Sequence, residues 1–201
     1  MVRDGDASRR RLLAAATAEF AERGIAGARV DRIAATAEVN KQQMYAWFGS
    51  KDGLYDAVLA QQLGRILDAV PFTPDDLPGY AVALYDSYLT DPEMIRLVGV
   101  TRLERAPAGD LTTALPGHSD GKHEAIAQAQ RDGLVVEGIE PADVYALVIG
   151  LAGSWSPLSG TWAASPADPR ADHERRRAAL RATVARALSP DAGRGGAARP
   201  R

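Results

Sequence analysis

Asn40, Lys41, Gln42, Gln43 and Tyr45 crowd one short stretch of the chain, interleaved with the apolar residues Met44, Trp47 and Phe48. Amide side chains can bond both polar edges of adenine, lysine can reach guanine or a phosphate, and a tyrosine hydroxyl can reach a phosphate. On a short helix whose apolar residues turn inward, this set suits the major groove of DNA. The same pattern also describes a polar helix face that merely meets solvent.

Other chemistry is scarce. The densest titratable group is His118, Asp120, His123 and Glu124, but Gly117 and Gly121 interrupt it and the two histidines lack the i, i+4 spacing of a helical metal pair. Solvated loop polarity is the expected reading, with no metal and no cofactor. The absence of cysteine excludes disulfides, thiolate metal sites and a thiol nucleophile. Neither a glycine-rich phosphate loop nor a nucleophile-elbow motif occurs, so no enzyme is expected.

The elements that must carry the amide cluster are helices. Leu12, Leu13, Ala16 and Phe20 form one buried stripe of a helix from Ser8 to Arg23, with Gly24 where a helix stop is expected. Val30, Ile33, Ala34 and Ala37 mark a second helix, and Met44, Trp47 and Phe48 a third from Asn40 to Phe48. Two helices this short must pack on the first, and a helix, a tight turn and a second helix is the layout of a helix-turn-helix unit. Ser50 is placed to cap the next helix, with Asp52 favoured in its first turn, running through Leu54, Val58 and Leu63 to Pro71.

Beyond Pro71 the pattern stays helical. Helices are expected over Tyr80–Leu89, Pro92–Arg105, His123–Leu134, Pro141–Trp155 and Glu174–Leu188, with Ala106–Gly121 the expected flexible loop and Ser189–Arg201 a disordered tail. No segment alternates as a strand does. The expectation is an all-α protein of about nine helices, divided into residues 1–52, 53–188 and the tail 189–201.

The 201 residues carry a net charge of −2. That near-neutral total hides segments of opposite sign: +2 over residues 1–52, from 9 basic and 7 acidic residues; −10 over 53–169, from 6 and 16; and +6 over 170–201, from 9 and 3. A mildly acidic chain therefore does not argue against a polyanion partner for its first segment. The longest apolar runs, such as Val144–Leu151, fall far short of the roughly 20 residues a bilayer span needs. The polar start is no signal peptide, so a soluble, cytoplasmic protein is expected, with no membrane partner.

The first 60 or so residues resemble the TetR family of bacterial regulators. The resemblance is carried by Arg11-Leu12-Leu13-Ala14-Ala15-Ala16 through Phe20-Ala21-Glu22-Arg23-Gly24, then Val30-Asp31-Arg32-Ile33-Ala34. It continues in Val39-Asn40-Lys41 with Met44-Tyr45, and in Phe48-Gly49-Ser50-Lys51-Asp52-Gly53-Leu54. It implies a homodimeric transcriptional regulator, most often a repressor. Its two helix-turn-helix heads would bind a palindromic double-stranded operator, and an all-α C-terminal domain would dimerise and bind a small-molecule effector. It places Lys41, Gln42, Gln43 and Tyr45 on the recognition helix and gives Lys51 a contact to the DNA backbone; Asn40 precedes them. A DNA-binding protein without a small-molecule ligand, structural or controlled by a protein partner, is the alternative.

Three features depart from the family pattern. Glu38 stands where the family usually has glycine, Ala28-Arg29 replaces the common hydroxyl cap but offers Arg29 to a phosphate, and Gln42, Gln43 and Trp47 replace common residues of the recognition helix. In the C-terminal part only the architecture is similar. Tyr85, Tyr88, Met94, Leu97, Arg102, Trp155 and Trp162 combine apolar walls with polar handles and are candidates for the effector pocket. Val144, Leu151, Leu180, Val184 and Leu188, on the last two helices, are candidates for the dimer interface.

Overall fold

A computed structural model of the chain describes residues 2–105, 108–109 and 120–190, without the side chains of 2–4, 66–68 and 120. Among the described residues there are nine α-helices and no strand. They are α1 (Val2–Gly27), α2 (Val30–Ala37), α3 (Lys41–Phe48), α4 (Lys51–Ala69), α5 (Leu77–Thr90), α6 (Pro92–Glu104), α7 (Asp120–Arg131), α8 (Pro141–Ala152) and α9 (Arg170–Leu188). A single 3-10 turn, Gly153–Trp155, follows α8. Most of the expected loop at 106–121, including His118, and residues 191–201 of the expected tail lie outside the described residues.

The helix boundaries follow local chemistry. α1 breaks at Gly24, whose φ of 68° and ψ of 177° suit a residue without a Cβ. The Asn40 side chain accepts from the Gln42 N–H at 2.8 Å and caps α3, and Ser50 Oγ accepts from the Gly53 N–H at 2.9 Å and caps α4. α9 begins at Arg170, earlier than its apolar periodicity indicates. Its inward stripe opens with two polar residues, His173 and Arg176, before Leu180, Val184 and Leu188, and all five are buried. Hydrophobic spacing cannot register that first part.

The described helices form two compact units: α1–α4 with α6, and α5 with α7–α9. In the first, Leu12, Ala16 and Phe20 of α1 share one core with Ile33, Met44, Leu54, Tyr55, Val58 and Leu97. Phe20 meets the Tyr55 ring edge to face at 5.0 Å. The expected division after residue 52 would cut this core, because Leu54, Tyr55 and Val58 of α4 are all fully buried in it. An eight-residue α2 and an eight-residue α3 cannot enclose a core alone, so α4 and α6 complete it.

In the second unit α5 packs on α9 and α8, and α7 packs on α8. Val144, Leu180, Val184 and Leu188 fill this unit's own interior, each no more than 3% exposed. The expectation that they meet a partner subunit is corrected: side chains with almost no surface in the single chain have none left to bury. The apolar surface of α8 lies elsewhere, on Leu147, 47% exposed, and on half-buried Leu151.

Candidate nucleic-acid interface

α3 is fastened by its apolar side and presents its polar side. Met44 is fully buried, and half-buried Trp47 and Phe48 pack edge to face at 6.4 Å. Gln42, Gln43 and Tyr45 are exposed, Tyr45 to 42%. Not every polar residue of the cluster is equally free. The Asn40 carbonyl oxygen is engaged as a cap, and Lys41 Nζ pairs with Asp31 Oδ1 of α2 at 2.7 Å, which raises the lysine pKa. Among the described residues, the outward polar side chains of α3 without such a tie are the two glutamines and the tyrosine.

The turn before α3 is set by Glu38. It adopts φ 54° and ψ 42°, the left-handed conformation, and is the sole non-glycine with positive φ among the described residues. The Val39 N–H donates to Ala34 O at 3.0 Å and the Glu38 N–H to Ala35 O at 3.1 Å, the paired bonds that close a helix on a left-handed residue. A glycine would hold this turn without steric cost. Glutamate holds it at a cost of roughly 1 kcal/mol.

Arg29 precedes α2 with its side chain exposed and makes no side-chain cap. Its backbone N–H instead donates to Glu19 Oε1 at 3.0 Å. The same oxygen accepts from Arg32 Nε and Nη2 at 2.9 and 2.6 Å. The Arg32 hydrogen bonds hold the Glu19 carboxyl below its ordinary pKa, with the Arg29 N–H adding to them against the opposing effect of burial. The cap that sequence reading missed before α2 is therefore supplied from α1.

Lys51 has partners that sequence reading did not anticipate. Its Nζ donates to the carbonyls of Ile25 at 2.6 Å and Ala28 at 3.3 Å, joining the start of α4 to the segment that follows Gly24. Two of its three N–H donors are engaged, which leaves one for a phosphate. Arg9, absent from the sequence-level candidates, places its guanidinium 5.1 Å from the centre of the Phe48 ring at the end of α3.

The expected effector residues fall into both units. Met94, Leu97 and Arg102 belong to α6 in the first, where Leu97 is fully buried in the core shared with α1 and α4. Tyr85, Tyr88, Trp155 and Trp162 belong to the second. Tyr85 is occupied structurally: its hydroxyl meets His173 Nδ1 at 2.7 Å, and Trp155 packs against its ring at 5.9 Å. Trp162 is 62% exposed in the segment before α9, and Tyr88 is buried on α5. Among the described residues, no group of three or more His, Cys, Asp or Glu could hold a metal ion, and no helix is long and apolar enough to cross a membrane.

A short amide-bearing helix held by a preceding helix and a tight turn, on an all-α body, defines a helix-turn-helix DNA-binding regulator. The chain belongs to the TetR family. Residues 12–58 match the family described as bacterial regulatory proteins of the tetR family, and residues 76–186 match the tetracyclin repressor-like C-terminal domain. It is 36% identical over 160 residues to the HTH-type transcriptional repressor SCO4008 of Streptomyces coelicolor, covering 77% of this chain and 80% of that protein. It is 27% identical over 157 residues to the HTH-type transcriptional repressor NicS of Pseudomonas putida, covering 73% and 74%. The crystal structure of SCO4942 from Streptomyces coelicolor, described as a transcriptional regulator, superposes with a TM-score of 0.73 at 37% identity over 90% of this chain and 98% of that one. The protein is a DNA-binding transcriptional regulator and not an enzyme.

Proposed function

We propose that this regulator is a repressor that binds a palindromic operator as a homodimer and is released from it by a small molecule. The observation that carries the DNA-reading part is the exposed Gln42, Gln43 and Tyr45 face of a helix anchored by fully buried Met44. Gln43, with Gln42, reads base edges; Tyr45, Arg29 and the remaining donor of Lys51 meet phosphates; Lys41 serves mainly to join α3 to α2. Two such heads in a symmetric dimer would sit about 34–36 Å apart, one turn of DNA. The dimer face uses the exposed side of α8 around Leu147 and Leu151, and the protein works in the cytoplasm, where its DNA is.

Release requires the effector to bind the DNA-free state more tightly, by typically 1–3 kcal/mol of coupling. The names of the related repressors SCO4008 and NicS support the sign of regulation. The test is a gel-shift titration on the intergenic DNA beside the protein's own gene, with and without candidate small molecules. A discrete complex at nanomolar protein that outlasts competitor DNA is expected. Equal affinity for that DNA and for random duplex would overturn the reading.

A further inference from the structure

In the unit of α5 and α7–α9, a half-buried lysine faces tyrosines instead of an acid. Lys122 Nζ on α7 donates to the Tyr145 hydroxyl of α8 at 2.9 Å. It lies 5.0 Å from the centre of the Tyr145 ring and 5.9 Å from that of Phe72. The hydroxyl is thus much nearer than the ring face, and the ammonium is held by a hydrogen bond at the ring's edge. No described carboxylate forms an ion pair with Lys122. A half-buried lysine whose hydrogen bond among the described residues is to a phenol keeps donors that an incoming anion could engage.

The surrounding groups are donors and rings. Phe72 packs edge to face on Tyr80 at 5.0 Å and on Tyr145 at 5.9 Å, and His123 stands against Tyr145 at 5.9 Å. Burial, and after it the neighbouring Tyr145, holds the Tyr80 and Tyr88 hydroxyls far above the ordinary phenol range, so both stay protonated. Tyr88 is 6% exposed, and among the described residues its hydroxyl has no hydrogen-bond partner. No fully enclosed polar side-chain atom is left unpartnered among them, so this hydroxyl keeps some accessible surface. The Tyr145 hydroxyl oxygen accepts from Lys122 and also takes a hydrogen bond that keeps the Tyr80 proton in place, so its own O–H can donate.

We propose that Lys122 with the hydroxyls of Tyr145 and Tyr88 forms the site for a small aromatic carboxylate, its ring lying against Phe72 and Tyr145. The carboxylate pairs with Lys122 by a charge-assisted bond and accepts from the phenols, while the aromatic walls select a planar body. An organic cation is disfavoured, since among the described residues it would meet Lys122 and no acid paired with it. The assignment rests on the reading of this protein as effector-controlled and gives that effector its chemical class.

The test uses the full chain with benzoate and 4-hydroxybenzoate, against benzamide and benzyltrimethylammonium, by isothermal titration. At least one acid should bind with a Kd of about 1 mM or tighter, with benzamide about tenfold weaker or worse. Lys122→Met should weaken acid binding about tenfold or more and Tyr88→Phe about threefold, with unchanged circular dichroism showing that both variants fold. Equal binding of benzoate and benzamide, an unaffected Lys122→Met variant, preferential binding of the cation, or no acid binding at all would each overturn the proposal. DNA release followed by anisotropy separates the two readings. Acids that bind through Lys122 without releasing DNA uphold the site and overturn effector control by it. A compound that releases DNA equally from wild type and Lys122→Met upholds effector control and overturns the site.

Discussion

The Glu104 carboxylate of α6 occupies the space that a side chain on Gly24 would need. Its two oxygens accept from the backbone N–H groups of Ile25 at 3.2 Å and Ala26 at 2.9 Å, immediately after the break in α1. A Cβ on Gly24 would run into Oε1, and the positive φ there disfavours any side chain. Next to it Arg105 pairs with Asp56, and Thr101 Oγ1 meets the buried Tyr55 hydroxyl at 2.6 Å. The last turn of α6 thus grips both α1 and α4, the helices on which α2 and α3 are mounted.

Gly24→Ala should destabilise the protein by about 2 kcal/mol, from the collision and the left-handed backbone together, and Glu104→Ala by about 1–2 kcal/mol through the lost cap. Because the two changes share one space, the double variant should cost less than the sum. Urea unfolding of the four proteins measures this, and strict additivity would show that the carboxylate and the glycine act independently.

Glu38→Gly should stabilise the protein by about 1 kcal/mol, because it removes the left-handed strain at the α2–α3 turn while keeping the two backbone bonds that close it. A rise in the midpoint of thermal unfolding is the expected readout. A fall would mean that the glutamate side chain makes a compensating contact.

Glu19 makes stability depend on pH in a defined direction. Its folded pKa is depressed, chiefly by the Arg32 hydrogen bonds, so the carboxylate stabilises above its unfolded pKa of about 4.3, and the effect is lost as pH falls through the lower folded value. Glu19→Gln should therefore be less stable than wild type at neutral pH, with the difference shrinking at about pH 3. Paired denaturation curves at the two pH values check it.

Lys51 and Gln43 should separate positioning from reading. Lys51→Met should lower stability through loss of the bonds to Ile25 and Ala28, and should weaken all duplexes alike. Its salt slope should fall by about 1 if the third donor reaches a phosphate. Gln43→Ala should lose about 1–3 kcal/mol on operator and far less on random DNA. Equal losses on both would remove Gln43 from base reading.

Much of the first unit is legible in its sequence because its signals are local. Leu12, Ala16 and Phe20 repeat with the helix, Asn40 and Ser50 cap within three residues, and Gly24 marks its own break. Glu38 is legible as a departure because the family that the chain resembles usually has glycine there, and the structure places it in the left-handed conformation. The second unit is less so. α9 hides its first turns behind His173 and Arg176, and α8 and α9 are apolar enough that either of two destinations, their own core or a partner, fits the pattern.

The amino-acid sequence by itself determined the all-α class, the order and approximate position of the helices, and the short polar helix α3, since periodicity, caps and breakers act within a few residues. The tertiary structure decided which side chains are already engaged. Lys51 turned to carbonyls more than twenty residues away, Glu104 to a glycine break, Val144 and Leu180 to their own core, and Lys122 to a tyrosine on another helix. Those pairings join residues far apart in the chain, and only folding brings them within the few ångströms over which hydrogen bonds and packing act.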